Sequence, residues 1–161
     1  MVYIEPSVKI SGEAILAADY NQDVRDNLKT LADPWTSYTP TLTNWTLGNG
    51  SLTGAYLKFG RLTFFRLRYD AGSTSTWAGN PIFGLPTEAV TTFSLPCGQA
   101  LLADASGSGA SFRATRTALI NSGTDLLMRA EDGSVLSSTV PWTWASGDTI
   151  EISGFYQANS G

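Results

Sequence analysis

The side chains that could carry catalysis are few in this sequence. It contains no histidine and one cysteine, Cys97. A serine or cysteine nucleophile needs a nearby base, most often histidine, and histidine is also the commonest metal ligand. No Gly-x-Ser-x-Gly run, phosphate-binding loop or calcium-binding spacing occurs in the chain. We therefore expect no catalytic residue, no metal and no cofactor, and hence a protein that is not an enzyme.

Carboxylates are the one group of residues that leaves a hydrolytic activity open. A glycosidase needs two acids that flank the scissile bond. The candidates are Asp70, Glu88, Asp104, Asp125, Glu131, Asp132, Asp148 and Glu151. Most of them lie in predicted turns, where aspartate is favoured for backbone reasons. We interpret them as solvated turn charges, and a polysaccharide depolymerase with a carboxylate pair is the alternative.

Tryptophan and arginine are the residues best suited to binding a partner. Tryptophan rings stack on sugar rings and on other proteins, although core packing is the competing interpretation. Trp77 stands alone in a polar stretch and Trp45 comes just before a glycine-rich turn. We predict that these two rings are exposed and contact a ligand, such as a host glycan, or a partner. Arg66 and Arg68 share one strand face, where they suit an anion clamp or, as we favour, pairing with an acid on a neighbouring strand.

The elements that would hold these residues begin with a helical pattern at the N-terminus. Residues 11–33 contain no proline, Ser11 is a candidate N-cap, and the Asp33-Pro34 pair ends the run. Six residues in this stretch are spaced by 3, 4, 3, 4 and 3 positions, as in a helix that packs against copies of itself. They are Ala14, Ala17, Asn21, Val24, Leu28 and Leu31. We predict that this seam drives oligomerisation.

A second pattern in the same helix keeps another partner open. A stripe spaced by about one turn would suit docking on the chain's own β region. Its members are Leu16, Tyr20, Val24, Leu28 and Leu31. The heptad pattern is too short to decide between the two partners. Either way the helix needs a partner surface, because an isolated helix of this length is only marginally stable in water.

From residue 38 onward the hydrophobic pattern has a period of two. In Leu62–Asp70, for example, Phe65, Leu67 and Tyr69 alternate with polar residues, which indicates an antiparallel sheet with one buried face. Thr149–Gln157 alternates in the same way and is the last predicted strand. We predict a surface loop over residues 71–81 and a strand over residues 135–144. About nine or ten short strands favour an antiparallel β-sandwich or jelly roll.

The predicted organisation is thus mainly β with one N-terminal α-helix. Residues 1–34 form an arm and helix, and residues 35–161 form a β-sandwich head. Apolar residues make up 42% of the chain and charged residues 15%, with a net charge of −4. This composition predicts a folded protein without a basic surface for nucleic acid. The chain contains no run of about 18 apolar residues, so membrane insertion is not predicted. The N-terminus lacks the features of a signal peptide.

Three segments of the chain resemble a known family. They are SGE, AAD and VRDNL within residues 11–28, then WTSYTPTL, GNG, GAY and GR within residues 35–61, and WASGDTI and GFY within residues 144–156. The first segment resembles the opening of bacteriophage tail and fibre proteins. The other two resemble a β domain of small virion proteins from phages that infect actinobacteria and related hosts.

The resemblance implies a homotrimer with its helices bundled at the attachment end and jelly-roll heads facing outward. It implies a virion protein that is made in the host cytoplasm, released by lysis and attached to other virion proteins through its N-terminal segment. A surface-displayed tail fibre or receptor-binding protein is expected, and a capsid decoration or head-fibre protein that stabilises the capsid is the alternative. The resemblance carries over no catalytic residues.

Overall fold

A computed structural model of the protein describes residues 11–14, 16–29, 34–90, 95–106, 112–130 and 132–159. In this part of the chain, one short helix precedes nine antiparallel strands. The predicted class, a mainly β antiparallel fold with one N-terminal helix, is therefore confirmed.

The helix is interrupted by a π-helical segment in its middle. It consists of α1 (Ala17–Tyr20), the π-helical segment (Asn21–Asp26) and α2 (Asn27–Lys29). We call residues 17–29 the leading helix. A π-helix has i→i+5 hydrogen bonds and so a wider turn than the α-helix, and nothing in the spacing of the apolar residues predicts it.

The helix also begins later than the sequence predicts. Its N-cap is Leu16 and not Ser11, because residues 11–14 are not helical. The backbone N–H of Leu16 donates to the carboxylate of Asp19 at 3.0 Å. This is the half of a capping box in which the third helical residue reaches back to the cap. The predicted end of the helix at Asp33 lies outside the described residues.

The nine strands form one continuous antiparallel sheet. They are β1 (Thr36–Tyr38), β2 (Leu42–Thr46), β3 (Ser51–Phe59), β4 (Leu62–Asp70), β5 (Thr76–Gly84), β6 (Leu95–Asp104), β7 (Phe112–Ser122), β8 (Asp125–Arg129) and β9 (Thr149–Gln157). Their order across the sheet is β1-β3-β4-β9-β6-β7-β8-β5-β2. The bounds of β4 and β9 are those predicted from the alternating pattern.

The sheet curls until its two ends meet across the core. Trp45 on β2 and Phe83 on β5 lie at one end of the strand order. Their rings nevertheless pack against Tyr69 on β4, near the other end, with centroid distances of 5.7 and 6.4 Å. Trp144 lies 4.9 Å from Trp45. Each such aromatic pair adds about 0.5–1.5 kcal/mol beyond the area that it buries, and the curl creates the two facing layers of a sandwich from one sheet.

Two of the predicted segments are wrong. Residues 71–81 are not all loop, because β5 begins at Thr76 and Trp77 pairs with Trp45 across the β2–β5 ladder. This stretch is polar, but cross-strand pairing overrides its weak β-propensity. Residues 135–144 are not a strand either; they form turns and isolated bridges. Pro141 in this segment has no N–H to donate to a ladder, and Trp144 is buried in the core without belonging to a strand.

A buried carboxylate holds this irregular segment in place. Asp148 is fully buried, so the expectation that it is a solvated turn charge is wrong. Its carboxylate accepts hydrogen bonds from the backbone N–H groups of Ala145 at 2.8 Å and Ala105 at 2.9 Å, and from the indole N–H of Trp142 at 3.1 Å. One side chain thus joins the end of β6, the segment before β9 and β9 itself.

Replacement of Asp148 is therefore expected to destabilise the fold. Asp148→Ala leaves three donors without their acceptor, and we expect the free energy of unfolding in urea to fall by roughly 3 kcal/mol. Asp148→Asn keeps one acceptor oxygen and should lose less. Asp132→Ala is the control, because Asp132 is exposed and accepts one backbone N–H, that of Ser134. Equal losses for Asp148→Ala and Asp132→Ala would contradict the role assigned to Asp148.

Candidate functional site

The outward face of β3, β4, β9 and β6 has two chemically different halves. On β4, Leu62 and Phe64 point outward at one end of the strand and Arg66 and Arg68 at the other. The neighbouring strands continue both halves through the ladder register. We call the first half the apolar patch and the second half the polar groove.

The apolar patch places large apolar side chains in solvent. It consists of Leu57, Phe59, Leu62, Phe64 and Phe155, in which Phe59 faces Leu62 and Phe64 lies between Leu57 and Phe155. The rings of Phe64 and Phe155 are 5.9 Å apart, and Phe155 is 59% exposed. The outward face of an antiparallel sheet is normally polar. A contiguous exposed apolar patch marks an interaction surface.

The polar groove is a depression of about 740 Å³ on the same face. In the ladder, Arg66 faces Ser153, which faces Gln99, and Arg68 faces Glu151, which faces Leu101. Thr53 on β3 and Thr115 on β7 close its two sides. Two arginines, one glutamate, one outward-facing leucine and several hydroxyl and amide groups therefore line the groove.

Arg68 makes the cross-strand pairing that the sequence predicts. Its guanidinium donates to Asp70 at 2.9 and 2.7 Å and to Glu151 on the neighbouring strand. The hydrogen bonds from Arg68 hold the pKa of the Asp70 carboxyl below its usual value, and a hydrogen bond from Ser51 acts in the same direction. A glycosidase acid needs a raised pKa, so Asp70 is poorly suited to that role. Glu131, another candidate, lies outside the described residues.

Within the residues that the structure describes, Arg66, unlike Arg68, does not make the predicted pairing with an acid on a neighbouring strand. Its guanidinium carbon lies 5.0 Å from the centroid of the Trp35 ring, in a cation–π contact. Among the arginines whose side chains the structure describes, Arg66 alone has no hydrogen bond to a protein acceptor. The five N–H donors of Arg66 are therefore available, and the ring beneath the guanidinium orients them.

The two tryptophans that were predicted to be exposed pack in or against the core instead. Trp45 is 4% exposed, and its indole N–H donates to the carbonyl of Gly79 at 2.9 Å. Trp77 is half-buried and donates to the hydroxyl of Tyr69 at 3.1 Å. The expectation that these rings are exposed is wrong for Trp45 and holds only in part for Trp77. Trp77 lies in the curled end of the sheet, away from the polar groove.

The leading helix carries its own exposed apolar residues. Leu16 is 62%, Tyr20 58%, Val24 40% and Leu28 59% exposed. In the described part of the chain, these side chains are thus not docked on the β region, which was the second interpretation of this helix. Of the predicted seam, Ala14 and Ala17 are also exposed and Asn21 is half-buried, and Leu31 lies outside the described residues.

The π-helical segment determines which of these residues share a face. The α-helix has about 3.6 residues per turn, and the π-helix has a wider turn. Residues four positions apart therefore stay closer to one line through Asn21–Asp26 than they would in a regular α-helix. This favours the stripe Leu16, Tyr20, Val24 and Leu28, which we call the apolar stripe, over the seam spaced by three and four. The role of either set in oligomerisation stays a prediction.

The thiol of Cys97 is protonated and poorly accessible. Cys97 is buried, its thiol donates to the carbonyl of Ala118 at 3.5 Å, and burial raises the pKa of the thiol to about 12. Within the described ranges, no group of three or more acidic or cysteine side chains is arranged to hold a metal ion. None of the helical segments described here is long and apolar enough to cross a lipid bilayer.

Comparison of the chain with protein-family models, with curated proteins and with solved structures found no match in any of the three. The likeness to phage proteins thus rests on the sequence segments alone. The sequence reasoning missed the apolar patch, although the adjacent pairs Phe64-Phe65 and Phe155-Tyr156 place apolar groups on both faces of a strand. It also missed Gln99, Thr115 and Ser153, for which only the ladder register gives a signal.

The Arg68–Asp70 contact can be tested through the titration of Asp70. Arg68→Gln removes the main cause of the lowered pKa, so the pKa of Asp70 should rise towards the ordinary aspartate value of about 3.9. Because the folded pKa of Asp70 is lowered, its stabilisation is present above the unfolded pKa and disappears as the pH falls through the folded value. Carboxyl ¹³C NMR measures the shift directly. Arg129→Gln removes an arginine outside this contact and should leave the pKa of Asp70 unchanged; an unchanged pKa in Arg68→Gln would contradict the assignment.

Proposed function

We propose that this chain is a non-enzymatic structural protein of a bacteriophage virion and works as a homotrimer. In this proposal the leading helix assembles the copies, the N-terminal segment attaches them to other virion proteins, and the β head faces outward as a fibre or receptor-binding protein of the tail. One observation supports the assembly in this proposal: the apolar stripe of a short helix is exposed in the single chain. The virion role is inferred from the resemblance of the sequence segments alone.

A helix of this kind needs other copies to be stable. The helix is too short to persist alone in water, and most helical stability in proteins comes from packing of an apolar face. Complete burial of a side chain such as Leu28 or Val24 contributes about 1.5–3 kcal/mol. A bundle of identical helices supplies apolar stripes that cover one another. The number three comes from the family resemblance, since the stripe by itself suits any small bundle.

The apolar patch lies at the end of the head where the helix is attached. In the β1–β3 ladder, Thr36 pairs with Tyr56, Ser37 with Ala55 and Tyr38 with Gly54. The chain thus enters β1 beside the apolar patch and runs towards the polar groove. A single assembly around the helices can cover the stripe and the patch together. This continuity supports a second copy as the partner of both surfaces.

Two other roles fit parts of the same description. A capsid decoration or head-fibre protein would use the same helix and head on a different part of the particle, and mass spectrometry of separated heads and tails distinguishes the two locations. A depolymerase would shorten a host polysaccharide during incubation. An unchanged polysaccharide profile would remove that alternative.

The helix is tested by a charge placed in the apolar stripe. Leu28→Asp puts one carboxylate from every copy into the apolar interior of the bundle, where an unpaired charge is strongly unfavourable. We expect sedimentation velocity at micromolar concentration to give a trimer for the unchanged chain and a monomer for Leu28→Asp. Ala18→Asp adds the same charge to the opposite face and should remain trimeric. A monomeric unchanged chain would refute the proposal.

The patch is tested by Phe155→Ser. Phe155 is largely exposed in the single chain, so its loss should leave the urea midpoint of the Leu28→Asp monomer nearly unchanged. If the patch is buried between copies, however, Phe155→Ser should raise the protein concentration at which half of the oligomer dissociates by about tenfold or more. Leu101→Ser is the matched control, because Leu101 is on the same outward face but in the polar groove. Equal effects of the two substitutions on dissociation would exclude the patch from the interface.

A further inference from the structure

We infer that the polar groove is a binding site for an acidic oligosaccharide, with a sugar carboxylate held by Arg66. The inference deepens the proposed adhesive role and rests on it for the biological partner. It does not depend on the oligomeric state, because all groove residues come from one chain.

The groove has the size of a small-ligand site. Its volume of about 740 Å³ falls within the range of about 300–1,000 Å³ that is typical of such sites. It extends across the sheet face from Thr53 on β3 to Thr115 on β7. An extended chain of a few sugar rings suits a depression of this extent.

The lining offers neutral hydrogen-bonding groups that are not used by the protein. Thr53, Gln99, Thr115 and Ser153 carry hydroxyl or amide groups that can donate and accept. Within the described chain, none of these four side chains has a hydrogen-bond partner. Sugar hydroxyls also donate and accept, so they match this set.

Arg66 adds the selection for an acid. A guanidinium presents paired N–H donors that match the two oxygens of a carboxylate. The free donors of Arg66 and its contact with Trp35 hold such a fork ready at the edge of the groove. Arg68 cannot serve in the same way, because Asp70 and Glu151 already occupy its donors.

An acidic peptide is the other ligand with a carboxylate, and the sheet disfavours it. Peptides commonly bind sheets by adding a strand at a free edge. The strands at the floor of the groove, β4, β9 and β6, are each paired on both sides. The backbone of the floor therefore has no free ladder for a peptide, whereas the β1–β3 ladder stops at Gly54 and the β7–β8 ladder begins at Thr117, at the two sides of the groove. Recognition on the floor comes from side chains, which favours a ligand rich in hydroxyl groups.

The charges also predict the strength of binding. Among the described side chains, Arg68, Asp70 and Glu151 together carry one net negative charge, which the charge of Arg66 offsets. The attraction for an acid is therefore local to the guanidinium of Arg66, whose donors are not engaged by any carboxylate that the structure describes. The charge-assisted hydrogen bonds of one guanidinium are a single contact of moderate strength, which salt weakens. Each groove is therefore a weak site, and display in several copies would strengthen attachment to a polymer through effective concentration.

The test uses defined sugars and the full chain. Saturation-transfer difference NMR with tetragalacturonate and with an α2,8-linked sialic acid tetramer should show binding of at least one of them at concentrations of about 1 mM. Cellotetraose, a neutral tetramer, should bind at least tenfold more weakly. Tetraglutamate serves as the peptide with comparable charge. Binding of the acidic sugar should weaken as the salt concentration is raised.

Substitutions then assign the binding to the groove. Arg66→Gln should weaken binding of the acidic sugar by at least about tenfold, and Arg66→Lys should weaken it too, because a lysine keeps the charge but not the fork. Arg129→Gln removes the same charge from an exposed site outside the groove and should leave binding unchanged. Circular dichroism melts of each variant check that the fold is retained.

Several results would overturn the inference. The first is that the unchanged chain binds neither acidic tetramer. The second is that cellotetraose or tetraglutamate binds as well as the acidic sugar, and the third is that Arg66→Gln binds the acidic sugar as well as the unchanged chain does.

The same NMR measurement on the Leu28→Asp variant separates this inference from the proposed assembly. A monomer that binds the acidic sugar with Arg66 dependence supports the groove even if the trimer is refuted, and a trimer that binds no acidic sugar refutes the groove alone.

Discussion

The contact between Tyr69 and the aromatic rings of β2 and β5 is the constraint on which the rest of the structure depends. β4 lies third in the strand order and β2 lies last, so a flat sheet would hold them far apart. The rings of Trp45 and Phe83 against Tyr69 bring these ends together and close the core. Aromatic rings supply the largest buried areas and prefer the tilted geometry seen here. Once the inside is filled in this way, partners can reach the head only from its outward face.

The alternation of β4 links that core to both outward surfaces. Side chains in a strand have a period of two, so the register that buries Phe65 and Leu67 also exposes Phe64 and Arg66. A shift of one residue would exchange the two sets, placing arginines in the core and phenylalanines in water. The core therefore specifies the register, and the register assembles the apolar patch and the polar groove from residues on different strands. The outward apolar residues lie outside this core, so burial within the single chain does not explain them, and we propose an external partner for them.

The sequence predicts the parts of this structure in which burial leaves a periodic signal. β4 and β9 are half-buried and alternate, and their bounds were predicted correctly. The first part of β5, residues 76–81, was predicted as loop because its residues are largely polar and become a strand only by pairing with β2. The segment before Asp148 was predicted as a strand because Trp142 and Trp144 are spaced like strand residues, although a carboxylate and ring packing hold them there.

For the groove, Arg66 and Arg68 were placed on one face, but Gln99 and Thr115 are more than thirty positions away along the chain, and only the strand order brings them close.

The apolar patch can be covered by a partner while the polar groove stays open to solvent, because the two surfaces lie at different ends of the same face. β1 enters beside the apolar patch and runs towards the groove, so the proposed assembly through the leading helix would cover the patch first. Copies that met through the groove instead would have to desolvate Arg66 and the Arg68–Asp70–Glu151 cluster, and removing charged groups from water is expensive unless new partners replace it. Burial of Phe64 and Phe155 has no such penalty, because water already solvates them poorly. The difference in desolvation alone therefore favours an assembly in which the patches are covered and the grooves stay open to solvent.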